Sequence, residues 1–197
     1  MAQTSTTLLS SKSHIADKTG TIISFTKTGT EYKISSSDTG TINLGSYNQF
    51  DIITVSGASN SGNNSTFTVK SVSSDNDYII VEEEVTTESA GQSITLDHTG
   101  FVSDKAKGDG YYSQPDGLHT VAYQVNSALT GSIKMQGSLA TTPTEDDWFD
   151  ISGSSFTADQ STLISTANFT GNFVWIRAKA TSIAGTGATI SSVLVNS

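Results

Sequence analysis

Cysteine is absent from this 197-residue chain, so neither a disulfide nor a thiolate metal site holds it together. Thiol usage therefore assigns it to no redox compartment. Proline is scarce, at two residues against 17 glycines. Tight turns must come from Gly, Asn and Asp, which tolerate positive φ. Cations are few as well: ten Lys and Arg against 19 Asp and Glu give a formal net charge of −9. The Lys and Arg form no cluster, and a phosphate backbone needs a basic stripe, so no nucleic-acid partner is expected. The acidic balance favours a basic or cation-bridged partner. No apolar run approaches the ~20 residues of a bilayer-spanning helix, so no membrane partner is expected either. Residues 1–12 lack the basic start and apolar stretch of a secretory signal, which predicts a protein made in a cytoplasm and not exported by that route.

What is present is Ser, Thr, Gly and Asn around short β-branched runs. Charged residues make up only 15% of the chain, whereas disorder goes with high charge and few β-branched residues. The polar bulk therefore reads as strand faces and turns. The length suits one large or two small domains with enough core to fold without staples.

Residues 1–20 are polar with little periodicity and read as an arm that a partner orders. Strands follow at 20–26 (GTIISFT), 31–35 (EYKIS), 50–55 (FDIITV), 66–72 (TFTVKSV), 78–81 (YIIV) and 93–96 (SITL). Their short length and Gly/Asn/Asp turns predict a small β-barrel or sandwich module over 21–97. Composition shifts near 97–100, and both Trp lie beyond it. In 98–197 the alternation is cleaner: Val121, Tyr123 and Val125 point one way, and Ile133 and Met135 oppose Lys134 and Gln136. The segment 173–179 puts Phe173, Trp175 and Arg177 on one face and Val174, Ile176 and Ala178 on the other. With 189–195 as a last strand, this half reads as an antiparallel β-sandwich of jelly-roll or immunoglobulin-like size. The chain is thus all-β. Its one helical signal is Thr144 followed by three acids, a single turn that Trp148 and Phe149 would anchor.

Chemistry-bearing clusters are sparse. His14, His98 and His119 stand far apart, without the ligand spacing of a zinc site. His119 leads from a Gly117 turn into a strand, where a backbone hydrogen bond gives it a structural role. Glu82, Glu83 and Glu84 alternate faces on a strand and cannot form a glycosidase pair, so they read as a solvated edge. Asp104, Asp109, Asp116 and the 75–77 turn offer oxygen ligands for Ca²⁺ but do not match a calcium-loop spacing. Asn64 and Asn168 fit the glycosylation pattern, which without a signal peptide carries little meaning. No nucleophile elbow, phosphate loop, dinucleotide fingerprint or zinc-protease pair is present, so no catalytic residue, cofactor or metal is predicted. Trp175 is assigned to the core. The candidate ligand-binding loop is Tyr111 and Tyr112 beside Gly108 and Gly110, with Asp116 and His119, and sugar rings are the ligand such aromatics would stack on.

Several blocks resemble a known family. In the second half these are 116–123 (DGLHTVAY), 129–136 (LTGSIKMQ), 139–149 (LATTPTEDDWF) and 169–178 (FTGNFVWIRA). They resemble a β-sandwich domain of structural proteins of tailed bacteriophages, particularly cyanophages. In the first half, 50–57 (FDIITVSG), 64–69 (NSTFTV) and 87–95 (TESAGQSIT) resemble a small β module of phage virion proteins. The resemblance covers about residues 45–197, carries no catalytic residue, and departs at the long Asn/Ser/Gly turn near 56–65. It implies a non-enzymatic virion component, made in the host cytoplasm, that docks on capsid, neck or tail proteins. Such a chain works as a homo-oligomer or multi-copy array. The alternative is a host-surface glycan-binding module of a tail fibre.

Overall fold

The structure, a computed structural model, describes residues 5–111 and 117–196. The chain divides into two compact units. One is the continuous stretch Ile15–Gly100, and the other joins His14 and the residues before it to Phe101 and those after it.

The reading of 1–20 as a partner-ordered arm is corrected by its described part. Strands β1 (Ser5–Leu9) and β2 (Lys12–Ser13) pair antiparallel with the last strand of the chain. Leu8 and Leu9 are both buried. A bulge between Thr7 and Leu9 places two adjacent leucines in the core and breaks the alternation that would have marked the strand.

The unit Ile15–Gly100 contains β3 (Lys18–Gly20), β4 (Ile23–Thr28), β5 (Glu31–Ser36), β6 (Asp51–Ser56), β7 (Thr66–Val72), β8 (Tyr78–Val81) and most of β9 (Ile94–Val102). The predicted strand 20–26 is thus two strands, interrupted at Thr21 and Ile22. Their spatial order is β3-β9-β6-β7-β8-β5-β4, an open path and no closed barrel. β7 serves as the corner. Its first half pairs with β6, and its second half, with a bulge between Val69 and Ser71, pairs with β8. Phe25, Ile34, Ile53, Phe67, Ile79, Ile94 and Leu96 fill the core. Each such burial is worth about 1.5–3 kcal/mol, which is how a small module holds without disulfides. The long Asn-rich turn is pinned as well: Glu88 accepts from the Ser59 and Asn60 amides, and Asn63 donates to both Glu88 and Thr86.

The second unit adds β10 (Ala106–Lys107), β11 (Leu118–Val125), β12 (Thr130–Ser138), β13 (Phe149–Asp150), β14 (Phe156–Asp159), β15 (Ile164–Thr170), β16 (Trp175–Ala184) and β17 (Thr189–Asn196). One antiparallel sheet runs β1-β17-β11-β15. In the other, β12 pairs with β16 on one side and with β13 and β14 on the other. The alternation predicted for this half holds. Val121, Tyr123 and Val125 are buried with Ile133 and Met135 in one core. Phe156 stacks on Tyr123 at 5.7 Å, and the Tyr123 hydroxyl donates to the Ser154 carbonyl.

Trp175 is corrected from core to outer face. On β16 the core takes Ile176, Ala178 and Ala180, which leaves Trp175 half-buried with its Nε1 donating to Thr141 O at 3.1 Å. The acidic turn forms as a short 3-10 helix, Glu145–Asp147, with the Asp147 carboxylate accepting from both the amide and the hydroxyl of Thr144. Among the described residues no helix is long and apolar enough to cross a membrane.

Candidate functional site

The second unit is a two-sheet sandwich whose edge strand β15 borders a groove of about 430 Å³. Leu118, Asn168, Phe169 and Thr170 line it from one sheet, and Phe149, Asp150, Ile151 and Ser152 from the other, with Phe173 between. The floor depends on glycine. At Gly171 φ is +154°, and a Cβ there would stand 2.3 Å from the Phe173 ring. A Cβ at Gly137 would stand 2.7 Å from the same ring. Only bare backbone at both positions lets Phe173 sit inside, against Phe149 at 5.9 Å and Phe169 at 6.3 Å.

His119 lies beneath that floor. It is fully buried, stacks on Phe169 at 4.9 Å, and holds the chain reversal through Nε2–H donating to the Gly171 carbonyl at 2.9 Å. That is the structural role read from its position before a strand. As a ligand-contacting residue it is corrected, because no surface of its ring is presented.

The rim is mixed. Leu118 and Phe149 are exposed, by 55% and 44%, and together they make the mouth apolar. Asp150 accepts from Gln136 Nε2 at 2.9 Å and pairs with the Lys134 ammonium. The bond to Lys134, then the one to Gln136, holds its carboxyl below the usual carboxylate range. Both of its oxygens are thereby engaged, one by Gln136 and the other by Lys134. Asn168 Oδ1 accepts from Thr120 Oγ1 at 2.9 Å, which orients its amide. An apolar mouth suits a side chain or one face of a sugar ring.

Of the residues singled out in the sequence, Tyr111 is exposed but is not among the residues that line this groove. Its ring meets Trp175 at 5.3 Å, with the Lys107 ammonium 4.1 Å from its centroid and Lys105 4.8 Å from that of Trp175. Tyr112 and Asp116 lie outside the described residues. Tyr111 and His119 thus have different surroundings. Phe149, Phe173 and Asn168 were missed as site residues. The available signal was the pair Phe169 and Phe173 flanking Gly171, which places two large rings around a turn only glycine can make.

The other candidates have structural partners. His98 is buried, with Nδ1 accepting the Ile15 amide at 2.9 Å and Nε2 3.8 Å from Asp51. The backbone amide of His14, not its imidazole, donates to Ala188 O. Glu82, Glu83 and Glu84 follow the end of β8 and do not lie on a strand; Glu82 and Glu84 are exposed and pair with Lys70 and Lys27, while Glu83 accepts from Thr68. Asn64 is consumed by two bonds to the Ala58 backbone. Among the described residues Asp75, Asp77, Asp104 and Asp109 form no ligating cluster.

The fold and groove define an all-β protein whose second unit is an antiparallel β-sandwich. No family model and no curated protein matches the chain. Among solved structures, the K2 cleaved adhesin domain of Lys-gingipain is similar at 9% identity and a TM-score of 0.28, over 57% of this chain and 72% of that one. The K1 cleaved adhesin domain of Lys-gingipain from Porphyromonas gingivalis W83 is similar at 7% identity and a TM-score of 0.31, over 91% and 97%.

Proposed function

We propose that the chain is a non-enzymatic structural component of a tailed-phage particle, docking on other virion proteins through its second unit. The family comes from the sequence resemblance. The observation that carries a docking role is the groove beside β15. That edge strand has seven residues, ISTANFT, with no charge and no proline. Natural sheet edges are usually blunted by exactly those devices, and an edge without them accepts a further strand. A partner strand laid along β15 would place a side chain in the groove mouth between Leu118 and Phe149. The test is co-sedimentation of the purified chain with capsids and tails of the encoding phage. Saturation at a regular stoichiometry, lost in Phe149→Glu with an unchanged melting curve, is expected. No binding to any particle part overturns the proposal.

A second reading, a glycan-binding module, is favoured by one observation: the exposed Phe149 ring at the mouth of the groove. A glycan array separates the two readings. Binding there that Phe149→Glu abolishes, with no particle docking, selects the sugar.

A further inference from the structure

The outer face of the sheet β1-β17-β11-β15 carries no charged side chain, in a chain where Asp and Glu outnumber Lys and Arg by 19 to 10. Its composition follows from the registers. Leu118 lies opposite Thr170, and Thr120 lies between Asn168 and Asn196. Ala122 lies between Thr166 and Leu194, and Gln124 between Ile164 and Ser192. At the far edge Ser5 and Thr7 continue the rows beside Asn196 and Leu194. These residues are exposed or half-buried, while their neighbours on the strands, such as Val121, Tyr123, Val193 and Val195, fill the core. Side chains tie the rows together: Thr120 donates to Asn168, and Ser192 to Gln124 at 3.4 Å.

Charge is what distinguishes this face, because it carries none while 15% of the whole chain is charged. Two copies of a chain at −9 repel wherever their acidic surfaces meet, and like charges placed opposite each other at an interface oppose association. The uncharged face is where a second copy approaches without placing carboxylate against carboxylate. Its amides and hydroxyls both donate and accept, so the face is complementary to itself, as a two-fold contact requires. The other occupants fit less well: a basic partner finds no acid here, and a sugar finds no aromatic ring.

We infer that the outer face of β1-β17-β11-β15 is a self-association surface whose occupant is a second copy of this chain. The inference rests on the proposed assembly role and names one of its partners. The face is small: four strands at ~4.8 Å and seven residues at ~3.4 Å span roughly 19 by 24 Å. That is below the ~800 Å² per partner of a standard stable interface, so the contact is weak in solution and gains strength in an array.

The test is sedimentation equilibrium of the full chain over a wide concentration range. The wild type is expected to pass reversibly from monomer to dimer. Association should tighten as salt rises, because screening shortens from ~10 Å at 0.1 M to ~3 Å at 1 M and removes the general repulsion. The exposed pair Thr120→Glu/Gln124→Glu should raise the dissociation constant at least tenfold at an unchanged melting temperature. Mixing it with Thr120→Lys/Gln124→Lys should restore the dimer. A wild type that stays monomeric throughout, association that weakens with salt, or a Glu variant that dimerises like the wild type would each overturn the inference. Co-sedimentation with particles is scored separately. A strictly monomeric chain that still saturates particles overturns self-association alone, whereas a dimer that ignores every particle part overturns the assembly role.

Discussion

Arg177 shows how much of this molecule is settled by single side chains on a solvent-facing sheet. It sits on the outer face of β16, yet is only 5% exposed, under the loop that carries Glu145 and Trp148. Its Nε donates to Gln136 at 2.9 Å, its two terminal nitrogens hold both Glu145 oxygens at 2.7 and 2.9 Å, and its plane lies 4.2 Å from the Trp148 ring. Only a planar five-donor group meets all three demands. Arg177→Ala is expected to cost about 2–3 kcal/mol, the scale of hydrogen bonds to charged groups, and Arg177→Lys to recover only part of it, as read by urea unfolding. Arg177 also holds the Glu145 carboxyl below its usual range, against a desolvation effect that would raise it. A carboxyl with a lowered folded pKa stabilises above its unfolded value and loses that contribution as pH falls through the folded one. Stability should therefore decline as pH drops below about 4, the ordinary carboxylate range, and less steeply in Arg177→Ala. Comparing unfolding midpoints of the two proteins at pH 7 and pH 3 checks the sign. Period-two reasoning placed Trp175 and Arg177 on the same face, as they are. It could not tell which face was the core, because the deciding residues, Ala178 and Ala180, are too small to signal burial.

At the scale of elements, most strands were legible because their β-branched runs alternate, as in 50–55, 66–72 and 121–125. Strands β1, β14 and β15 were not predicted, and for β1 the reason is local. With STTLL and a bulge, its two leucines are adjacent where a regular strand would separate them. It is nevertheless a structural strand. Deleting residues 1–9 would strip Leu8 and Leu9 from the core and uncover the β17 edge. A loss of about 3–6 kcal/mol follows from burying two leucines at ~1.5–3 kcal/mol each. A docking arm would instead be removable without effect on the melting curve, so urea unfolding of the truncated chain decides between the two. The groove was less legible than the strands that frame it. It depends on β15 and β13 meeting across a sandwich edge, and on Phe173 tucking against Gly137, a neighbour 36 positions away that no local pattern announces.

The whole molecule consists of one unit inserted into another. All the clustered buried core residues of Ile15–Gly100 belong to that stretch, and those of the sandwich belong to the residues flanking it. A fragment covering 15–100 is therefore expected to fold alone, with a cooperative thermal transition by circular dichroism; a non-cooperative melt would show that it depends on the sandwich. The amide of Ile15 meets the ring of His98 at 2.9 Å, so the inserted unit brings its own entry and exit close together. That closure matters during synthesis. β1 is made well before its partner β17, with Ser5 finally opposite Asn196. Pairings between such distant residues are slow to form because the intervening chain must be drawn in. The inserted unit, complete once residue 100 has emerged, folds while the rest is still being made and shortens that search. What remains is to join a short leading strand to a sandwich across a gap already bridged, so the slow step of folding is expected to wait on the final strand.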